Sequence, residues 1–260
     1  MTACLCVVAA QLATAQVDSA RSLRTEFAVA VGIAHTERLD ATASPVRFGG
    51  QGFDAVAHYR RTRGTLLLTA SIDVGTRDLV PQARSEGTGE RLTSGDVHVS
   101  VLRQLGDRAS RSSSRSGIAV GVDVAATIDV SAHHYADPNA SISDFLIGAV
   151  TVGPAVSWER RVAGGTALVH VTAPVVGFVD HPYSDTRAAE ARVTARFVTV
   201  REFRGLAGAI IYAPSVRRRV GIEYAYRFRL LGYADLQPVH SASQALSVGV
   251  VTRFGPLGPR

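Results

Sequence analysis

The stretch "SQALSVGVVTRF", residues 243–254, decides how the rest of the chain is read. Leu246, Val248, Val250, Thr252 and Phe254 form one alternate set, and Ala245, Ser247, Gly249, Val251 and Arg253 form the other. A strand sends successive side chains to opposite faces. One face of this segment is therefore greasy, and the other is small or polar.

The same alternation recurs upstream. In "SGIAVGVDVAATIDVSAH" (116–133), Ile118, Val120, Val122, Val124, Ile128 and Val130 oppose Gly117, Gly121, Asp123, Thr127, Asp129 and Ser131. In "RVGIEYAYRFRLLGY" (219–233), Val220, Ile222, Tyr224, Tyr226, Phe228 and Leu230 oppose Arg219, Gly221, Glu223, Arg227 and Arg229. A soluble sandwich alternates too. These runs are longer than its usual strands of about 5–6 residues. Their second face mixes Gly, Ala and Ser with charges, which suits a crowded, wet barrel lumen.

The pattern predicts an all-β fold, an antiparallel up-and-down transmembrane barrel of about ten strands, with eight or twelve as alternatives. The strands fall near 25–36, 51–61, 64–77, 93–105, 116–134, 145–160, 165–179, 203–213, 217–232 and 241–254. Most reach the roughly 9–11 residues that a tilted strand needs to cross a bilayer. Long links are expected at 37–50, 78–92, 135–144, 180–202 and 233–240, with shorter ones at the opposite end and both termini on the short side. Residues 180–202 read either as another strand or as a folded loop.

Composition narrows the class. The chain has 260 residues and a net charge of +6, and all 28 basic residues are arginine. The arginines are scattered, with no basic helix, zinc spacing or RNP-like motif, so nucleic acid is not an expected partner. The opening "MTACLCVVAAQLATAQ" reads as an apolar region and small-residue cleavage site, so residues 1–15 are expected to be a signal peptide, 16–254 one barrel domain and 255–260 a short tail. Both cysteines, Cys4 and Cys6, lie in that first segment, which removes disulfide, thiol and Cys-zinc chemistry from the mature chain. No metal spacing or cofactor fingerprint is present, so no metal and no cofactor is expected.

Strand direction assigns Phe27, Tyr59, Trp158, Tyr212 and Phe254 to the outer face near the short-turn end. That is the placement of an interfacial aromatic girdle. The alternation assigns Glu26, Asp54, His58, Asp73, Asp123, Asp129, His170, Glu223, Arg227, Arg229 and Arg253 to the lumen. Charges in a narrow bore must be paired or hydrated, so a filled interior with little open channel is expected. Twelve of the 28 basic residues stand at the short turns and their flanks, among them Arg60, Arg61, Arg63, Arg103, Arg160, Arg161 and Arg219. They suit either anionic headgroups or plain solvent.

Leu246, Val248, Val250, Thr252 and Phe254 make the last strand similar to that of bacterial outer-membrane β-barrel proteins. The resemblance implies an outer-membrane location, lipids as partners, and recognition of the terminal strand by the barrel-assembly machinery. It implies a structural, adhesive or small-solute transport role, with an unidentified partner for the outer loops.

One catalytic arrangement is worth weighing. His98 and Ser100 share the inward face, and folding 93–105 on 116–134 brings Asp123 near them. A Ser–His–Asp set for ester or phospholipid hydrolysis is then conceivable. The His-x-Ser spacing resembles outer-membrane phospholipases, but Val101-Leu102 stand where that family has asparagine and glycine. A soluble secreted β-barrel or sandwich holding a ligand is the remaining alternative.

Overall fold

The computed structural model describes residues 24–40, 44–82, 89–105, 116–134, 144–162, 164–180, 196–214, 219–233 and 239–254. The expected signal segment and the tail after Phe254 lie outside the described residues. The strands are β1 (Arg24–Asp40), β2 (Ser44–Arg63), β3 (Leu66–Pro81), β4 (Gly89–Leu105), β5 (Ser116–His134), β6 (Asp144–Val162), β7 (Gly165–Thr172), β8 (Val176–Asp180), β9 (Arg196–Thr199), β10 (Phe203–Pro214), β11 (Val220–Tyr233) and β12 (Val239–Phe254).

Each strand pairs antiparallel with its neighbours, and β1 pairs with β12 from Thr25↔Phe254 to Asp40↔Val239. β5 pairs with β6, so the sheet has no free edge in its ring. The ring is a closed barrel of ten strands, β1–β7 and β10–β12. β8 and β9 stand outside that ring as two extra strands. β8 runs on along the same edge of β6 as β7, and β9 pairs with β8. Between them one residue is inserted: Thr172 faces Ala155 and Val176 faces Val152, four steps against three. Pro174 sits in this bulge, where a missing N–H costs no ladder bond. The insertion flips the parity, so Thr172 and Gly177 both point inward.

The register fixes the strand tilt. From Val31, neighbours lead through Ala55, Val74, Gly95 and Ile128 to Gly148 on β6. The other way round they lead through Val248, Tyr224, Tyr212 and Ala167 to Arg160 on the same strand. The displacement of 12 residues (148 to 160) over ten strands gives a tilt of about 40°, or about 2.5 Å of height per residue.

The strands exceed their expected lengths. β1 has 17 residues and β2 has 20, so the wall is about 40 Å tall against an apolar band of about 25 Å. The described strands run into each expected long link, to Asp40 and from Ser44, to Pro81 and from Gly89, to His134, to Asp180 with β9 from Arg196, and to Tyr233 and from Val239. The expected link 37–50 is mostly sheet. On the short side, β2 and β3 are joined by Gly64 and Thr65, with Gly64 at φ 58°, a left-handed conformation that glycine adopts without a Cβ clash.

The outer face is apolar in a belt and polar above it. Val31 and Leu246 are 66% and 68% exposed, whereas Ala30 and Ala245 beside them are 2% and 5% exposed. Beyond the belt, toward the long-link end, the exposed outward residues are mostly polar, among them Glu37, Gln51, Asp78, Arg91, Thr93 and Gln244, with Val80 beside Asp78 an exception. Inside, apolar clusters occupy both ends of the bore. Leu67, Leu102, Ala119 and Ala155 lie toward the short turns. Phe48, Leu79 and Leu92, together with Ile147, Val179, Val198, Phe203, Leu231, Tyr233 and Val239, lie toward the long links.

Candidate functional site

The charged lumen is built in layers alongside those clusters, the lowest of them level with the short-turn cluster. In the lowest layer, Glu26 receives Arg24 at 2.7 Å and Arg253 Nε at 2.9 Å, with Arg60 at 3.5 Å. Arg60 also pairs with Glu159, and Arg24 lies 3.7 Å from the same carboxylate. Three guanidinium groups and two carboxylates thus cross the bore. They link β1, β2, β6 and β12, including the β1–β12 closure where Glu26 stands opposite Arg253.

A cavity of about 190 Å³ extends from the lower layer, where Glu26, Arg60 and Arg253 line it, up to Asp96 and Arg229. His58 Nδ1 lies 3.5 Å from Glu223, and Arg227 donates to Ser247 Oγ at 2.6 Å. Arg77 bridges Asp54 at 2.6 Å and Ser94 at 2.5 Å. Gly75 makes that pair possible, because a Cβ there would sit 2.0 Å from Asp54 Oδ1. Asp73 also lines this cavity.

The upper layer centres on Arg229. Its two terminal nitrogens each face one carboxylate: Nη1 contacts both oxygens of Asp96 at 2.9 Å, and Nη2 both oxygens of Asp129 at 3.0 Å. Thr127 Oγ1 adds a bond to Asp96 at 2.6 Å. Arg38 and Glu90, 3.4 Å apart and fully buried, continue the layer, with Arg38 3.8 Å from Asp129.

All eleven residues assigned to the lumen by alternation face inward here. Arg38, Arg60, Arg77, Glu90, Asp96 and Glu159 belong with them and were missed. Its place next to the short turn groups Arg60 with the turn charges, although it shares parity with Asp54 and His58 on β2. That parity was the available signal. Phe27, Tyr59, Trp158, Tyr212 and Phe254 point outward, with Phe27 directly beside Tyr59 and Tyr212 beside Tyr224. Among the described residues, no three His, Cys, Asp or Glu converge as a metal site.

The possible catalytic set meets, but in the wrong order. Ser100 stands opposite Asp123 and His98 opposite Ala125. Ser100 Oγ donates to Asp123 Oδ1 at 2.5 Å, while His98 Nδ1 lies 3.0 Å from Asp123 Oδ2. The carboxylate therefore sits between serine and His98, where a relay needs the imidazole in the middle. His170 Nε2 approaches Ser100 Oγ at 3.2 Å from across the bore. The serine proton is already committed to Asp123, however, and the Ser100 side chain is buried at 1% exposure. Around Ser100, β4 is paired on both edges, with β3 and with β5, so its backbone N–H groups are taken up by the sheet and leave no donors for an oxyanion. This network ties β4, β5 and β7 together. Ser100→Ala is expected to leave background hydrolysis of a p-nitrophenyl ester unchanged and to lower stability by about 1 kcal/mol, read as a small drop in urea midpoint.

A closed antiparallel ring with an apolar outer belt and a charged interior is the general architecture of bacterial outer-membrane β-barrel proteins. No protein-family model matches the sequence, and no curated protein matches it. Among solved structures, the chain is similar to the outer membrane protease OmpT from Escherichia coli, at 9% identity over 90% of this chain and 97% of that one, with a TM-score of 0.47. It is also similar to the translocator domain of the autotransporter NalP from Neisseria meningitidis, at 10% identity over 97% of each chain and a TM-score of 0.46. Neisserial surface protein A gives 12% identity over 88% of this chain and 97% of that one, with a TM-score of 0.37. At these scores the likenesses carry no functional weight. The barrel rests on this chain's own register.

Proposed function

We propose that the protein is an exported outer-membrane β-barrel whose bore is closed to steady ion flow, acting in a structural or adhesive role through the wall and loops at its long-link end. The observation that supports this reading is the pairing inside the lumen: the Glu26–Arg60–Arg253 layer below, with an apolar cluster beside it, and the Asp96–Arg229–Asp129 layer above, with apolar clusters beyond it toward the long links. Carboxylates and guanidiniums locked together occupy the bore, and an ion entering it would have to displace them. In this reading, residues 1–15 direct export and the β12 face ending at Phe254 meets the assembly machinery.

Reconstitution of the full barrel in planar bilayers tests the closed bore. The expected trace shows no steady single-channel steps; large stable steps would replace this reading with an open porin. The cavity of about 190 Å³ favours one second reading, a narrow path for a small solute. Arg227, which lines it and donates to Ser247, is the side chain to remove. Small steps that grow in Arg227→Ala would support that path.

A further inference from the structure

The charge at the short-turn end is sorted by face. Glu26, Glu159 and Glu223, the described acids at that end, point into the bore, the first two held by Arg24, Arg60 and Arg253 and the third beside His58. The outward positions carry Arg61 and Arg63 on β2, Arg103 on β4 and Arg160 on β6, all exposed. Among the described residues, no acid faces outward there. The other end differs: Glu37, Asp78 and Arg91 share the outer face, and Arg91 pairs with Asp78 at 2.8 Å. Turns that merely keep the protein soluble would carry both signs, as that end does.

Height gives the second observation. Arg61 follows Tyr59 by two residues and Arg160 follows Trp158 by two, so each arginine stands one pleat below a girdle aromatic on the same face. Arg103 stands one pleat below Val101 in the same way. Arg103 and Arg61 face adjoining β3 leucines, Leu66 and Leu68. One pleat is about 6–7 Å along the strand, or about 5 Å of height at this tilt. If the aromatics mark the edge of the hydrocarbon, these guanidiniums stand among the headgroups. Tyrosine and tryptophan favour that boundary. A guanidinium offers a planar fork that grips a phosphate through two parallel bonds, which an ammonium does not.

We propose that Arg61, Arg103 and Arg160, with Arg63 below, form an arc across β2 to β6 that binds the phosphates of anionic phospholipids in the leaflet at the short-turn end. The inference rests on the membrane reading above. It adds a lipid class and a leaflet to that reading.

Trp158 is the only tryptophan in the chain and reports on the arc directly. The full barrel is reconstituted in vesicles that mix unlabelled lipid with brominated phosphatidylglycerol or brominated phosphatidylcholine, and Trp158 quenching is titrated. Quenching by the anionic lipid is expected to show about fivefold tighter relative association, falling to parity in 0.5 M salt, where the Debye length is only a few ångströms. Arg61→Gln with Arg103→Gln and Arg160→Gln should lose the preference at low salt while the barrel stays heat-modifiable on gels. The matching lysine variant should keep part of it. Equal quenching by both lipids in the wild type would overturn the lipid preference and leave the membrane barrel standing. No quenching by either lipid would overturn both. A preference that survives the three glutamines would assign it to other residues and overturn this arc.

Discussion

Val124→Arg is expected to stop the barrel from assembling in lipid. Val124 lies between Val99 and Val152 on the outer face and is 46% exposed in the isolated chain. It stands roughly 12 Å above Trp158 by the tilt and register, close to the middle of a 25 Å band. A charge there costs about 2–4 kcal/mol, a large share of the 5–15 kcal/mol that holds a typical domain together. The control is Thr93→Arg, outward on β4 above the belt beside Arg91, where the expected cost is at most about 1 kcal/mol. Ala125 is not a usable control. It is 7% exposed and faces the bore, so an arginine there fails by overpacking whether or not lipid surrounds the wall. Folded yield in phosphatidylcholine vesicles, read by heat-modifiable migration, should fall close to background for Val124→Arg and stay near wild type for Thr93→Arg. Similar yields for the two would remove the lipid belt.

Much of this geometry is legible in the sequence because a belt and a bore impose a strict period of two. Glu26 and Arg253 fall on the inward sets of the first and last strands, and closure sets them opposite each other. Legibility fails where the outer face leaves the lipid. Past Ile33 the outward residues are His35 and Glu37, and before Phe53 they are Gln51 and Gly49. With polar residues facing water outside and buried polar residues such as Thr36 and Arg38 inside, the contrast that marks a strand vanishes, so 37–50 reads as a link although β1 and β2 continue through most of it. The bulge at Ala173–Val175 breaks the period for a different reason. It inserts one residue, and only Pro174 hints at it. Partners across the bore are the least legible part. Arg229 meets Asp96 and Asp129 from 133 and 100 residues away. That meeting depends on the 12-residue displacement around the ring, which no single strand reveals.

Arg229→Ala is the substitution inside the barrel with the largest expected effect. Both carboxylates it holds are shielded, with side-chain exposures of 15% for Asp96 and 2% for Asp129, and removing one partner of a buried ion pair costs about 3–5 kcal/mol because the other is left uncompensated. The two carboxylates do not suffer equally. Asp129 keeps Arg38 at 3.8 Å, whereas Asp96 keeps only the hydroxyl of Thr127 among these contacts. The loss should therefore fall mainly on Asp96 and lie near the lower end of that range. A second substitution separates charge from packing: Asp96→Asn removes the stranded charge while preserving shape and a hydrogen-bonding amide. Urea titrations in detergent micelles should show a large drop in midpoint for Arg229→Ala. Recovery of more than half of it is expected in Arg229→Ala with Asp96→Asn, and much less in Arg229→Ala with Asp129→Asn. Equal recovery from the two asparagines would show that the layer shares its charge evenly and that Arg38 contributes nothing to Asp129. No drop in the single variant would mean that the upper layer is hydrated, and the bore would lose the seal on which its closed state depends.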